Sequence, residues 1–246
     1  MTAPHLQITE KDVNPYVLMP GDPGRVIRIA KHLENSKKIN VNREFTIYNG
    51  AYKGKKITVC SSGMGGPSTA IALHELAELG AKVVIRIGSC GSLQRDMKIG
   101  ELIIPEQAIR QDGTTDMYAA KDVPAVADSS VFNALISSSK ELKLRYYSGT
   151  IRSHDSFYTK NTPAIEKFWS KVGVLGSDFE SSTIFLVGKI EGLKTGSILN
   201  IVSAYGNADA GKDVEKFQKD VQKGVGELSI GENNSIIAAL DAIKKL

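Results

Sequence analysis

The chain has 246 residues, with 31 Lys and Arg against 27 Asp and Glu and a formal charge of +4 at pH 7. Hydrophobic residues make up 41% and charged residues 24%, the proportions of an ordinary globular protein rather than a disordered or fibrous one. The basic residues are dispersed, which argues against a nucleic-acid surface but leaves room for a small anionic ligand. Cys60 and Cys90 are the two cysteines and form no C-x-x-C, so neither a disulfide scaffold nor a zinc ribbon is expected and a reducing compartment is. The opening "MTAPHLQITEKD" lacks the apolar segment of a signal peptide, and no run is long enough to span a bilayer. These features predict a cytoplasmic protein.

Taken in chain order, "YVLMP" (16–20) reads as a buried strand and 24–33 as a helix. "EFTIYNGAYKGKKITVCSS" (44–62) reads as a hairpin with Asn49-Gly50 as its turn signal. Residues 67–79 carry apolar side chains at helical spacing, with Pro67 near the first helical position and Gly80 at the C-terminal end. "AKVVIRIGS" (81–89) is a strand interrupted only by Arg86, and "ELIIPEQAI", "YYSGTIRS" and "GSILNIVSA" are further strands. Helices are expected near 129–142, 162–171, 181–191 and 232–245. The alternation predicts one α/β domain over 1–246, its sheet covered on both faces by helices. Residues 206–229, polar and rich in Lys and Asp, read as an excursion or lid.

Two strand-to-helix turns are chemically loaded: "PGDPGR" (20–25) and "RIGSCGS" (86–92). In an open α/β sheet such turns gather beyond the carboxyl ends of the strands, where ligands bind. Glycine lets backbone N–H groups approach a ligand, a helix N-terminus favours an anion, and arginine supplies paired donors that match phosphate oxygens. Arg86 is buried by its apolar neighbours and needs compensation, either from an internal carboxylate or from a bound oxyanion. Two glycine turns, with Arg25 and Arg86 at strand ends, favour the oxyanion. A dinucleotide fingerprint is absent, since "GSCGSL" is not G-x-G-x-x-G and "GMGGPS" follows a hairpin strand.

The segments "HLQIT", "PGDPGR", "NREFT", "SSGMGGPSTAIALHEL", "RIGSCGSL" and "PAVAD" resemble, in order, those of the purine and uridine phosphorylases, and most closely the uridine phosphorylase branch. The likeness runs from His5 to about Ile201. It implies a three-layer α/β/α sandwich with a central mixed sheet, and phosphorolysis of a nucleoside to free base and ribose 1-phosphate with no cofactor. It also implies a homo-oligomer, at least a dimer and in the family a hexamer built as a trimer of dimers. Carried over residue by residue, Gly21, Arg25, Arg86 and Ser89 would hold phosphate, and Arg43 would be lent by the adjacent subunit. His5 would cross the same interface to the ribose 5′-hydroxyl, although alone it reads as a loose terminal residue, as Arg43 reads as a solvated charge. In "SDFESS", Glu180 falls on the glutamate that grips the ribose hydroxyls, Phe179 replaces a methionine beneath the sugar and Asp178 a glutamate. Cys90, Gly91, Phe157 and Ser203 would line the base pocket, and Arg25, Arg86 and Glu180 would be the catalytic set. Some members hold a monovalent cation at positions matching Glu44 and Ser68; no other metal is implied.

The base site departs from both branches. Purine-specific relatives place an aspartate where this chain has Ser203 or Ala204, with Asp209 a few residues on. Uridine phosphorylases place a glutamine and an arginine after the stacking phenylalanine, where "FYTKNTP" offers Lys160 and Asn161. Uridine-type phosphorolysis is therefore the first expectation and a purine nucleoside the second. A nucleosidase of the same fold, or a nucleoside-binding protein without turnover, are the remaining alternatives.

Overall fold

The structure, a computed structural model, describes residues 2–207 and 209–246. Its first half runs β1 (Tyr16–Pro20), α1 (Pro23–Ala30), β2 (Glu34–Asn42), β3 (Phe45–Tyr52), β4 (Lys55–Cys60), α2 (Gly66–Glu78) and β5 (Val83–Ser92). Then come β6 (Leu102–Gln111), the single turn α3 (Gly113–Asp116), β7 (Ala125–Val126), α4 (Ser129–Glu141) and β8 (Tyr146–His154). The last third comprises α5 (Thr162–Lys171), β9 (Gly176–Asp178), α6 (Ser181–Ile190), β10 (Lys194–Ser203), α7 (Ala210–Lys223) and α8 (Gly226–Lys245).

The strands form one mixed sheet between two helical layers, as the resemblance implies. On one face, Leu73, Leu76, Ile184 and Phe185 of α2 and α6 pack on Val17, Val84, Cys90 and Ile151. On the other, Val26, Ile29, Val131, Leu135, Ile236 and Leu240 of α1, α4 and α8 pack on Leu18, Ile85, Ile87 and Ile198. Consecutive residues of β5 thus serve opposite cores, as the period of two in a strand requires.

The sheet is open only in its first half. β5 pairs in parallel with β1 and β10, while Gly91 and Ser92 at its end pair antiparallel with Ser177 and Gly176 of β9. With β10 on β6, β6 on β8 and β8 on β9, five strands close into a ring. The seam depends on glycine, because a Cβ on Gly176 would lie 2.7 Å from the Gly91 carbonyl oxygen. A real Cβ does not come that close to backbone.

Two local expectations change, and one strand appears that the sequence does not announce. Asn49-Gly50 lies inside β3, paired with Thr58 and Ile57 of β4, and the hairpin reverses at Lys53-Gly54, both with positive φ (47° and 81°). Gly50 is required by packing, since a Cβ there would meet the Leu33 Cβ at 2.7 Å. The stretch 206–229 contains α7, which buries Phe217 and Val221 against Val202 and Leu228. Two large apolar residues one turn apart suffice to dock it, too few to stand out in so polar a segment. The exposed, polar edge strand β2 carries no alternation to announce it. No helix among the described residues is long and apolar enough to cross a membrane.

Candidate active site

The turn between β1 and α1 is set by its own chemistry. Asp22 caps α1 by accepting from the Gly24 N–H (2.8 Å), and Pro23 occupies the first helical turn, where a missing N–H costs nothing. Arg25 is thereby placed on the inward face of α1, 3% exposed. All three of its guanidinium nitrogens are engaged. Nε donates to Glu232 of α8 (2.7 Å), Nη1 to the Ile87 carbonyl (2.8 Å) and Nη2 to Ser89 Oγ (2.7 Å). Glu232 also accepts from Arg28, so one buried carboxylate serves two arginines. Burial alone would push the Glu232 carboxyl up, but Arg25 and Arg28 outweigh it and hold it below its usual range.

Arg86 approaches from the opposite face of β5. Its side chain lies over Gly88, where an added Cβ would sit 2.6 Å from Nη2. Nε donates to Asp178 (3.0 Å) and Nη2 pairs with Glu180 (2.5 Å). Nη1 has no hydrogen-bond partner among the described residues and lies 4.0 Å from the position of a Cβ on Gly21. Asp178 also accepts from Ser153 Oγ and Ser181 Oγ, both at 2.6 Å, so it is fully bonded within the protein. Glu180 is not: one oxygen takes the Gly65 N–H (2.7 Å) and the other faces Arg86. Burial opposes the Arg86 charge, yet Glu180 and Asp178 raise its pKa; burial and the like charge of Asp178 push the Glu180 carboxyl up against Arg86. Both arginines therefore have the internal carboxylates that the ion-pair alternative required. What remains open to a ligand is Arg86 Nη1, the lone pairs of Glu180, and the Ser89 hydroxyl, whose own proton is free because its oxygen accepts from Arg25.

The other predicted residues fall into three groups. Arg43 is exposed at the β2–β3 turn with φ 52°, and makes no hydrogen bond or ion pair among the described residues. Glu44 and Ser68 both border Gly63, where a Cβ would meet Glu44 Cγ at 2.7 Å and Ser68 Oγ at 3.2 Å. His5 is tied down: Glu75 of α2 accepts from its Nδ1 (2.6 Å) and from the backbone N–H groups of His5 and Leu6. Its imidazole remains 42% exposed.

At the base end, Gly91 and Ser203 are paired across β5 and β10. Phe157 lies edge-on to Phe179 at 6.2 Å. The Cys90 side chain is buried in the core, with Sγ 3.7 Å from the Asn200 carbonyl oxygen, so only its backbone can face a ligand beside Gly91. Burial pushes its thiol well up, and that of Cys60 to about 12, so both are unreactive. Asn161 joins Gln111, Arg152 and Trp169 around a cavity of about 610 Å³ beneath α5.

Three further residues of the site were not singled out in the sequence: Glu75, which lies inside the segment "SSGMGGPSTAIALHEL", and Glu232 and His154, which carry no local signal. His154 packs edge-on against Phe179 at 5.0 Å, and burial, helped by Arg152, lowers its pKa to about 4. Above about pH 6.5 His154 is neutral in folded and unfolded chains alike. Between pH 6.5 and 4 only the unfolded chain takes the proton, so stability falls as pH falls. Thermal melts at pH 7 and 4.5 should show a smaller loss in His154→Gln than in the parent; equal losses would place the acid sensitivity elsewhere.

An α/β sheet half closed into a ring, with a buried arginine on either face of β5 and each arginine paired with internal carboxylates, places this chain in the class of layered α/β proteins with charged side chains gathered around the strand-to-helix turns. The chain belongs to the phosphorylase superfamily, whose family model matches residues 15–230. It is 37% identical over 224 residues to a uridine phosphorylase of Thermococcus kodakarensis, covering 86% of this chain and 81% of that one. It is 36% identical over 198 residues to a guanosine phosphorylase of Halorubrum lacusprofundi, covering 80% and 82%. Among solved structures it resembles uridine phosphorylase from Vibrio fischeri, with TM-score 0.91 and 38% identity over 100% of this chain and 97% of that one.

Proposed function

We propose that the chain, acting as one domain over 1–246, is a nucleoside phosphorylase of the uridine type. The observation that carries this is the Arg86–Glu180 pair beside Gly21, because it sets an anion donor next to a hydroxyl acceptor. Phosphate would sit against Arg86 Nη1, Ser89 Oγ and the Gly21 backbone, with Arg25 behind Ser89 fixing its orientation. Glu180 would take the 2′- and 3′-hydroxyls over Phe179. In the reaction the bond from C1′ to the base nitrogen breaks, the base leaves with the electron pair and a bond forms from C1′ to a phosphate oxygen. The ribose passes through a cationic state that a nearby phosphate stabilises, so positioning and electrostatics supply most of the acceleration.

The carboxylates around Arg25 and Arg86 cancel much of the cationic charge within one subunit. A further arginine would restore it, and the exposed, unpaired Arg43 fits that part if a second copy supplies it together with His5. The reading therefore includes an assembly of at least a dimer, six subunits as a trimer of dimers. It also includes a cytoplasmic location, in keeping with two free thiols, and phosphate as co-substrate without a cofactor. The pair Glu44 and Ser68 would border a monovalent cation, to which two oxygens of one chain contribute only part of a shell.

A purine nucleoside is the second reading, favoured by the guanosine phosphorylase among the relatives. The test is release of free base from uridine, inosine, guanosine and adenosine with and without phosphate. Phosphate-dependent release from uridine is expected. Release from purine nucleosides alone would move the reading to the purine branch, and release independent of phosphate would make the protein a nucleosidase. Binding without turnover across the panel would leave a nucleoside-binding protein.

A further inference from the structure

The departing base needs a polar partner, and the aspartate nearest in sequence, Asp209, is occupied: it caps α7 through the Lys212 N–H and pairs with Lys212 Nζ at 3.0 Å. Asp213, one turn further on, is placed differently. Its Oδ2 accepts from Ser203 Oγ (2.7 Å) and from Asn207 Nδ2 (2.6 Å), while Oδ1 has no partner and the carboxylate has no cation among the described residues. Asp213 shares a face of α7 with Phe217, whose ring lies 5.7 Å from the Arg25 guanidinium carbon. Ser203 is the strand partner of Gly91. The first turn of α7 also meets the loop carrying Phe157, since the Tyr158 hydroxyl lies 3.6 Å from the position of a Cβ on Gly211. The carboxylate therefore sits on Ser203, beside Gly91, on a helix whose first turn meets the aromatic loop and whose next turn meets Arg25.

Resting on the phosphorylase reading, we infer that Asp213 reads the nucleobase, its free Oδ1 accepting the ring N–H that lies beside a carbonyl in uracil, hypoxanthine and guanine. Ser203 and Asn207 are the positioning residues that hold the carboxylate. Cytosine and adenine present a lone pair at that ring nitrogen, which would face the carboxylate acceptor to acceptor. A site built to bond a donor rejects the analogue without it strongly, because its polar group is left unpaired. The chemical class selected is thus the oxo-nucleosides.

Asp213→Asn tests this, because its amide can keep an oxygen toward Ser203 and Asn207 while turning an N–H toward the base. Phosphate-dependent kcat/KM for uridine, inosine and guanosine should fall about 100-fold. That for cytidine and adenosine should hold or rise, so the preference collapses. A role confined to docking α7 would lower all five nucleosides alike and leave the preference within about threefold of the parent, which overturns the inference. Calorimetric titration of uracil, hypoxanthine, cytosine and adenine into parent and variant needs no turnover. If the parent turns over no nucleoside, the phosphorylase reading falls, and these titrations alone decide whether Asp213 selects the ring N–H.

Discussion

Arg86→Ala should lose at least about 10³-fold in phosphate-dependent kcat/KM and also destabilise the fold by about 3–5 kcal/mol. The first effect is the loss of a cationic donor to the anion. The second follows from Asp178 and Glu180, both about 5% exposed, which the guanidinium compensates. Removing the cation leaves two buried carboxylates side by side, and one of them must take up a proton or water must enter. Arg86→Lys separates the two effects, since it keeps the charge and loses the planar fork that spans Asp178, Glu180 and a ligand at once. It should fold, with kcat/KM down about 100-fold and the phosphate KM raised. Urea unfolding and initial rates over a phosphate series measure both. A lysine variant with unchanged phosphate KM would show that no anion binds at Nη1.

Glu180→Gln isolates the ribose contact. The amide is nearly isosteric, but its single oxygen can accept either the Gly65 N–H or the Arg86 guanidinium and leaves its NH2 against the other donor; Arg86 keeps Asp178, so stability should fall by about 1–3 kcal/mol. kcat should fall about 100-fold, because a charge-assisted grip on the sugar hydroxyls is lost where the ribose becomes cationic. The phosphate KM should hold or fall, since a negative charge beside Arg86 has been removed. Steady-state rates with each substrate varied in turn separate these terms. A rise in phosphate KM with kcat preserved would assign Glu180 to holding Arg86 rather than to the sugar.

Both expectations rest on pairings between residues far apart in the chain, and these divide what was legible beforehand from what was not. The β1–α1 turn was legible because its cause is local: Asp22 and Pro23 cap and start the helix within three residues of Arg25. The apolar strands, α2, α4, α5 and α6 were legible for the same reason, through spacing. The Asn49-Gly50 signal misled because glycine there answers to Leu33, a tertiary neighbour, and not to a turn. α7 did not stand out as a helix because its docking rests on two side chains.

The chain by itself determined the layered α/β architecture, the two glycine turns, and the presence of Arg25 and Arg86 in them and of Glu180 in the "SDFESS" segment, since propensity, periodicity and motif act over a few residues. Only the tertiary structure decided which charges meet. Glu232 reaches Arg25 from 207 positions away, Asp178 reaches Arg86 from 92, and Asp213 faces Ser203 across a helix start that reads as loop. A carboxylate acts through distance in space, and that distance exists only once the sheet has closed and the two helical layers have brought their buried charges to its edge.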